Sequence, residues 1–154
     1  MKPSKKTIRE LEKYHDKKKV VKVKDMKDFF LKKEPKNNNL VYEVFIKNYS
    51  PMNFALTILN PGTVGKEFYM TKGHVHKTKM QEFYILLEGK GKLILQKGAL
   101  KEINLKKKEL NLVPSGFAHR LINTGKTKLK VLTIYHEDSK PQYGVKFKKR
   151  FNKK

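Results

Sequence analysis

From residue 40 to residue 135, apolar and polar positions alternate in short runs with a period of two, the pattern of half-buried strands. Leu40–Lys47 is the first run, and Asn48-Tyr-Ser-Pro-Met52 turns it into Asn53–Asn60, which Pro61-Gly62 closes. Glu67–His76, Gln81–Leu87, Lys92–Gln96, Leu100–Leu105, Glu109–Val113, Arg120–Ile122 and Leu129–Tyr135 follow. Gly89-Lys-Gly91, Lys97-Gly98, Pro114-Ser-Gly116 and Gly125-Lys-Thr-Lys128 supply turns between them. Short strands at this spacing predict an all-β barrel or sandwich. Upstream, Met26, Phe29 and Phe30 stand at i, i+3 and i+4 within Lys24–Leu31, which predicts a short amphipathic helix packed on the barrel. Residues 34–39 read as a loop. Gly144–Lys154 is a basic, strand-like tail carrying Val145, Phe147 and Phe151. The expected organisation is a lysine-rich arm with the short helix (1–39), a barrel (40–135) and a C-terminal segment (136–154).

Composition narrows this picture. A chain of 154 residues suits one domain with a sizeable core. It holds no apolar run of transmembrane length. No apolar stretch follows its lysine-rich start, so neither a membrane span nor a secretory signal is expected. Cysteine is absent, which excludes disulfides and thiolate metal sites and leaves histidine and carboxylate as ligands. A reducing cytoplasm is the expected compartment. Lys plus Arg number 37 against 14 Asp plus Glu, a net charge of +23. Such a balance often marks nucleic-acid binding. Here lysine dominates, and arginine, the better residue for bidentate recognition, stands only at 9, 120 and 150. The charge is read instead as a field that attracts a phosphorylated substrate, and nucleic acid is not an expected partner.

The chemistry gathers in one stretch. His74 and His76, two residues apart, share a face of a strand, as do Glu82 and Tyr84 on the next. If those strands lie side by side, two imidazoles and a carboxylate converge beside a phenol, a ligand set for a divalent transition metal. Pro114 and Gly116 turn the chain into a later strand that His119 opens.

His74-x-His76, Glu82 with Gly89 seven residues on, and Pro114-x-Gly116-x-x-His119-x-x-x-Asn123 resemble the two cupin motifs. Five residues separate His76 from Glu82, wider than is usual in that family, and Phe68 and Lys108 stand where each motif has its leading glycine. The resemblance narrows with Tyr42-Glu-Val-Phe45, Asn53-Phe-Ala-Leu-Thr57, Pro61–Phe68, Thr71-Lys-Gly-His-Val-His76, Glu82-Phe-Tyr84, Gly89-Lys-Gly91 and Tyr143-Gly144. Together they resemble the cupin-type glucose-6-phosphate isomerases of archaea and some bacteria.

That resemblance implies a small double-stranded β-helix (jelly-roll) barrel and a homodimer. It implies a metal-dependent aldose–ketose isomerase of glycolysis and gluconeogenesis that interconverts glucose 6-phosphate and fructose 6-phosphate. One divalent ion per chain is expected on His74, His76, Glu82 and His119. Nitrogen and oxygen ligands without sulfur leave iron, manganese, nickel, cobalt and zinc open. Tyr42, Thr57, Thr71, Gly73 and Tyr143 are implied to bind the substrate phosphate. Glu82 is the candidate proton carrier, with Tyr84 to orient the sugar or relay a proton. Either Glu82 leaves the metal when sugar binds, or the metal assists a direct hydride shift. The family places a histidine, associated with ring opening, two residues before its Tyr-Gly. Here Pro141 occupies that place, and His136 is the candidate substitute. Two alternatives remain at this point: a sugar-phosphate-binding cupin with impaired catalysis, and a metal cupin acting on another sugar phosphate.

Overall fold

In the computed structural model, which describes residues 8, 10–32 and 35–154, the chain is almost entirely strand and turn. The strands are β1 (Lys17–Lys22), β2 (Leu40–Tyr49), β3 (Met52–Leu59), β4 (Thr63–Val64), β5 (Glu67–Phe68), β6 (Val75–His76) and β7 (Glu82–Glu88). They continue with β8 (Gly91–Lys97), β9 (Ala99–Asn104), β10 (Leu110–Val113), β11 (Ala118–Asn123), β12 (Leu129–His136) and β13 (Pro141–Gln142). One sheet runs β1-β2-β3-β12-β7-β10 and a second runs β11-β8-β9. The segment before β6 lies along β11 through the bridges Met70–Ile122 and His74–His119, and β6 itself pairs with β13. Two layers enclosing one lumen is the jelly-roll solution for short antiparallel strands.

The period-two pattern decides what enters the lumen. On β3 the inward positions are Ala55, Thr57 and Leu59, and on β12 they are Leu129, Val131, Thr133 and Tyr135. On β7 they are Glu82, Tyr84 and Leu86. Register aligns them in layers. Leu59 faces Leu129 and Val131 faces Leu86, whereas Thr133 faces Tyr84 and Tyr135 faces Glu82. The lumen is thus apolar at one end, where Val41, Leu59, Leu93, Ile94, Ile122 and Leu129 are wholly buried. Each such side chain contributes about 1.5–3 kcal/mol of burial. The other end is polar and holds the site. The outer face of the six-stranded sheet carries a second apolar cluster of Phe45, Leu56, Ile58 and Leu132, under Leu11.

Two of the motif positions show their structural purpose. Asn123, wholly buried, donates from Nδ2 to the Leu59 and Thr127 carbonyls, and its Oδ1 accepts the Gly125 amide, so one side chain organises the turn into β12. Lys108, in place of the second motif's leading glycine, takes the left-handed φ of 67° that glycine would take without strain.

The structure corrects three expectations. Over Lys24–Leu31 no α-helix forms. A 3₁₀ turn, Val23–Met26, is followed by further turns, held by the Phe29 and Phe30 amides on the Met26 carbonyl. Met26 and Phe30 are nonetheless buried and Phe29 packs against them, so the three apolar residues do anchor this segment, through turns too short for a helix nucleus. Glu67–His76 does not run as one strand: β5 pairs with β4 and ends at Phe68, the chain crosses to β11 at Met70, and Gly73, at φ +76°, bends it ahead of β6. The tail is strapped to the barrel without forming a strand. Gln96 Nε2 donates to the Lys146 carbonyl at 3.0 Å, and its Oε1 accepts the Lys148 amide at 2.8 Å. Lys149 pairs with Glu102, Arg150 with Glu67, and Asn152 bridges to Glu67. β1 lies outside the set of strands the pattern predicts and adds an edge to the large sheet by pairing with β2.

Candidate active site and metal centre

His74, His76, Glu82 and His119 converge at the polar end of the lumen, with one ligand atom from each within 4.8 Å of the others. They come from facing walls. β7 pairs with β12 and β10, not with the His74–His76 segment, so Glu82 meets the histidines across the lumen rather than along one sheet. His76 Nε2 stands 2.5 Å from Glu82 Oε1, His119 Nε2 stands 3.0 Å from Oε2, and the Nε2 atoms of His74 and His76 are 3.1 Å apart.

The protonation pattern tests whether a metal fits. His119 Nδ1 lies 3.0 Å from the Phe117 carbonyl, which can only accept, so Nδ1 holds the proton and Nε2 presents a lone pair. That buried Nε2 has no hydrogen-bond partner among the described residues and points at a carboxylate oxygen. Burial, and then the neighbouring His119 and His76, push His74 from its ordinary 6.5 down to about 3, so His74 is neutral at pH 7. Burial would raise Glu82, but the His119 and His76 rings beside its two oxygens prevail and hold it well below the usual carboxylate range. Lone pairs and an ionised carboxylate aimed at one point are what a divalent cation reconciles. Three imidazoles and a carboxylate suit a first-row transition ion.

Around this cluster lies a cavity of about 310 Å³ whose wall includes every residue implied to bind phosphate: Tyr42, Thr57, Thr71, Gly73 and Tyr143. The Tyr42 hydroxyl approaches the Lys72 amide at 3.5 Å, and burial raises its phenol above the ordinary range. Thr71 Oγ1 accepts the Leu121 amide at 3.0 Å. Tyr84 is buried, donates to Glu82 Oε2 at 3.2 Å, and is raised well above the ordinary phenol value by burial.

His136 does not line the cavity; its Nδ1 accepts the Asp138 amide at 3.1 Å. The phase of β12 explains this: with Thr133 and Tyr135 inward, position 136 faces away. Tyr135, pushed up to about 12 by burial, occupies the inward place that sequence reasoning gave to its neighbour. The alternation of β12 could have found it. Lys19 was also missed. It points inward from β1, and its Nζ donates to the Tyr143 hydroxyl at 2.9 Å and lies 4.7 Å from that ring's centroid. Its only signal was being two residues before the buried Val21. Pro141 lines the cavity and pairs with His76 across β13 and β6.

Fold and site together define a cupin of the metal-binding type. Among solved structures the fold is similar to Bacillus subtilis oxalate decarboxylase, as a deletion mutant, with TM-score 0.57 and 20% identity over 71% of this chain and 30% of that one. A recombinant oxalate oxidase in complex with glycolate gives TM-score 0.53 and 15% identity over 62% of this chain and 47% of that one. Sequence comparison is more specific. The model of the glucose-6-phosphate isomerase family matches residues 12–151. Glucose-6-phosphate isomerase of Pyrococcus horikoshii is 39% identical over 150 residues, which cover 89% of this chain and 79% of that protein. That of Thermococcus litoralis is 38% identical over the same shares. The chain belongs to the glucose-6-phosphate isomerase family, in its cupin form.

Proposed function

We propose that this protein interconverts glucose 6-phosphate and fructose 6-phosphate at the polar end of its barrel. The observation that carries the reading is the closeness of a four-residue metal cluster and a wall of phosphate donors within one cavity. A divalent ion held by His74, His76, Glu82 and His119 would supply positive charge that stabilises negative charge developing on the oxygens of C1 and C2, the two carbons whose oxidation levels exchange. Hydroxyls of Tyr42, Thr57, Thr71 and Tyr143 and the Gly73 amide are suited to a phosphate dianion. Lys19, already on the Tyr143 hydroxyl, adds an ammonium at the same wall. The phosphate is unchanged in the reaction, so these contacts fix the position of the sugar.

Glu82 is ionised at neutral pH and carries the proton between C1 and C2, at the cost of driving force that its low basicity implies. Tyr84, hydrogen-bonded to it, holds its orientation. Tyr135, opposite Glu82 in the register, closes the site on the β12 side. Position 141 lies at the cavity opposite His76, so a histidine there, as in the family pattern, would reach the sugar. A hexose-phosphate substrate supports the reading that the reaction is cytoplasmic. No helix among the described residues is long and apolar enough to cross a membrane.

We also place a homodimer contact on the outer face of the large sheet. Phe54, Ile85, Leu87 and Ile134 extend the outer cluster, and Leu110 and Leu112 are exposed on β10, which among the described residues is an edge strand paired with β7 alone. Light scattering at moderate salt should give a dimer and Leu110→Lys a monomer.

The function is tested by coupled assays of both directions in D₂O, with metal analysis. About one divalent ion per chain, turnover lost with EDTA, and solvent deuterium at the migrating position are expected. Pro141→His should raise turnover on the cyclic sugar. Hexose-phosphate binding without turnover in the metal-loaded protein would make it a binder, and complete retention of the substrate hydrogen would remove the proton-carrying role from Glu82.

A further inference from the structure

Among the described residues, Arg120 is a buried cation without an acid of its own. It is 6% exposed, and its Nε has no hydrogen-bond partner among the described residues. Its Nη1 meets the Met70 sulfur at 3.1 Å and its Nη2 donates to the Lys72 carbonyl at 2.9 Å. The ring of Phe147, from the strapped tail, covers its guanidinium at 4.0 Å. Glu67, whose charge reaches it, is committed to Arg150 at 2.8 Å and to the Leu31 amide at 3.0 Å. A cation taken from water in this way is costly unless something repays the desolvation, and a weak sulfur acceptor and one carbonyl do not.

What Arg120 holds is informative. In a planar trans peptide the N–H points opposite to the C=O. With the Lys72 carbonyl fixed on Arg120, the Gly73 amide is directed to the other side, where Gly73 lines the cavity beside Thr71 and Tyr42. Gly73 has φ +76°, and a Cβ there would lie 3.0 Å from Arg120 Nε, so glycine is what lets the guanidinium close on this peptide. Charge behind a peptide polarises it and strengthens the donor on its far side.

We propose that Arg120 is a positioning residue for the substrate phosphate: from its place in the cavity wall it fixes and polarises the Lys72–Gly73 peptide, so that the Gly73 N–H and the buried charge receive the dianion together. This rests on the reading that Tyr42, Thr57, Thr71, Gly73 and Tyr143 form the phosphate recess. The incoming phosphate is then the counter-charge that Arg120 lacks, and the tail supplies the cover that keeps water from screening it.

The test uses the metal-loaded protein with inorganic phosphate as probe. Arg120→Met should raise the KM for glucose 6-phosphate and the inhibition constant for phosphate together, by about 10- to 100-fold, the scale of a hydrogen bond to a charged group. Its kcat at saturation should change less than about threefold, as loss of uniform binding requires. Arg120→Lys keeps the charge but not the fork and should fall between. Should Arg120→Met not fold, Arg120→Lys and the wild type carry the test. In the wild type the Gly73 amide proton should move downfield on phosphate titration, and in Arg120→Lys the shift should shrink. A Gly73 resonance that ignores phosphate, or Arg120→Lys with wild-type phosphate inhibition while Thr71→Ala weakens it, overturns the role of Arg120 and leaves the recess standing. Unchanged phosphate inhibition in Thr71→Ala, Tyr143→Phe and Arg120→Lys alike overturns the recess as well.

Discussion

Replacing Gly73 by alanine should damage this protein through two separable causes. The first is backbone. At φ +76° an L-residue carries a left-handed penalty of about 1–2 kcal/mol. The second is crowding. The new Cβ would sit 2.7 Å from Phe147 Cε2 and 3.0 Å from both Phe147 Cζ and Arg120 Nε, so ring and guanidinium must both give way. Overpacking of this kind costs typically 1–3 kcal/mol. The sum is about 2–5 kcal/mol, or roughly 5–20 °C in Tm for a chain of this size. Phe147→Leu separates the two parts, because removing the ring leaves mainly the backbone cost. In a double-mutant cycle followed by thermal unfolding, Gly73→Ala should cost about 1–2 kcal/mol in the Phe147→Leu background against the full amount in the wild type. Equal costs in both backgrounds, within the roughly 0.3–0.5 kcal/mol expected of independent sites, would refute the packing of the tail against the Gly73 peptide.

Acid should destabilise the metal-free protein, because both His74 and Glu82 have folded-state values below their ordinary ones. Their stabilisation is present above the unfolded values and is lost as pH falls, for His74 from 6.5 toward about 3, so Tm should decline below pH 6.5 and less steeply in His74→Gln. Thr71→Ala should mainly raise KM, by about 1.5–3 kcal/mol, whereas Glu82→Gln should mainly lower kcat; steady-state kinetics showing the reverse would exchange the two roles. Lys108→Gly should stabilise the protein by roughly 0.5–1 kcal/mol in denaturant unfolding, by relieving the left-handed φ of 67°.

Much of this molecule was legible from its periodicity. β2, β3 and the strands from β7 to β12 were legible from the apolar–polar pattern, whereas β4 was not read and β5 and β6 were read as one strand; the four metal-ligand candidates converge, with Glu82 reaching the histidines across the lumen rather than from a neighbouring strand. What escaped notice depended on phase or on distant chain. Lys17–Lys22 has lysine on both of its faces, which masked β1 and with it Lys19. His136 and Tyr135 differ by one position, and a one-residue error in phase moves a side chain to the opposite face. Nothing in the local pattern marks Arg120 as buried. Its burial comes from Phe147, held by contacts from Gln96 to the tail backbone that no local pattern encodes. The break at Gly73 was foreshadowed by the residue itself, since a straight strand would have turned Thr71 away from His74.

The position of β12 has a kinetic consequence. It lies between β3 and β7, and its partners are distant in sequence: Leu129 meets Leu59, and Thr133 meets both Ala55 and Tyr84. Until residues 129–136 dock, the β2–β3 hairpin and β7 each present an unsatisfied edge, and neither metal ligands nor phosphate donors face a common space. Closing loops of this length before their contacts repay the entropy makes folding slow, on the order of milliseconds to seconds for such topologies. During that interval the exposed edges can pair with those of another chain. The high lysine content then acts on the unfinished protein as much as on the finished one: like charges along β1 and the tail hold partly folded chains apart while each waits for its twelfth strand.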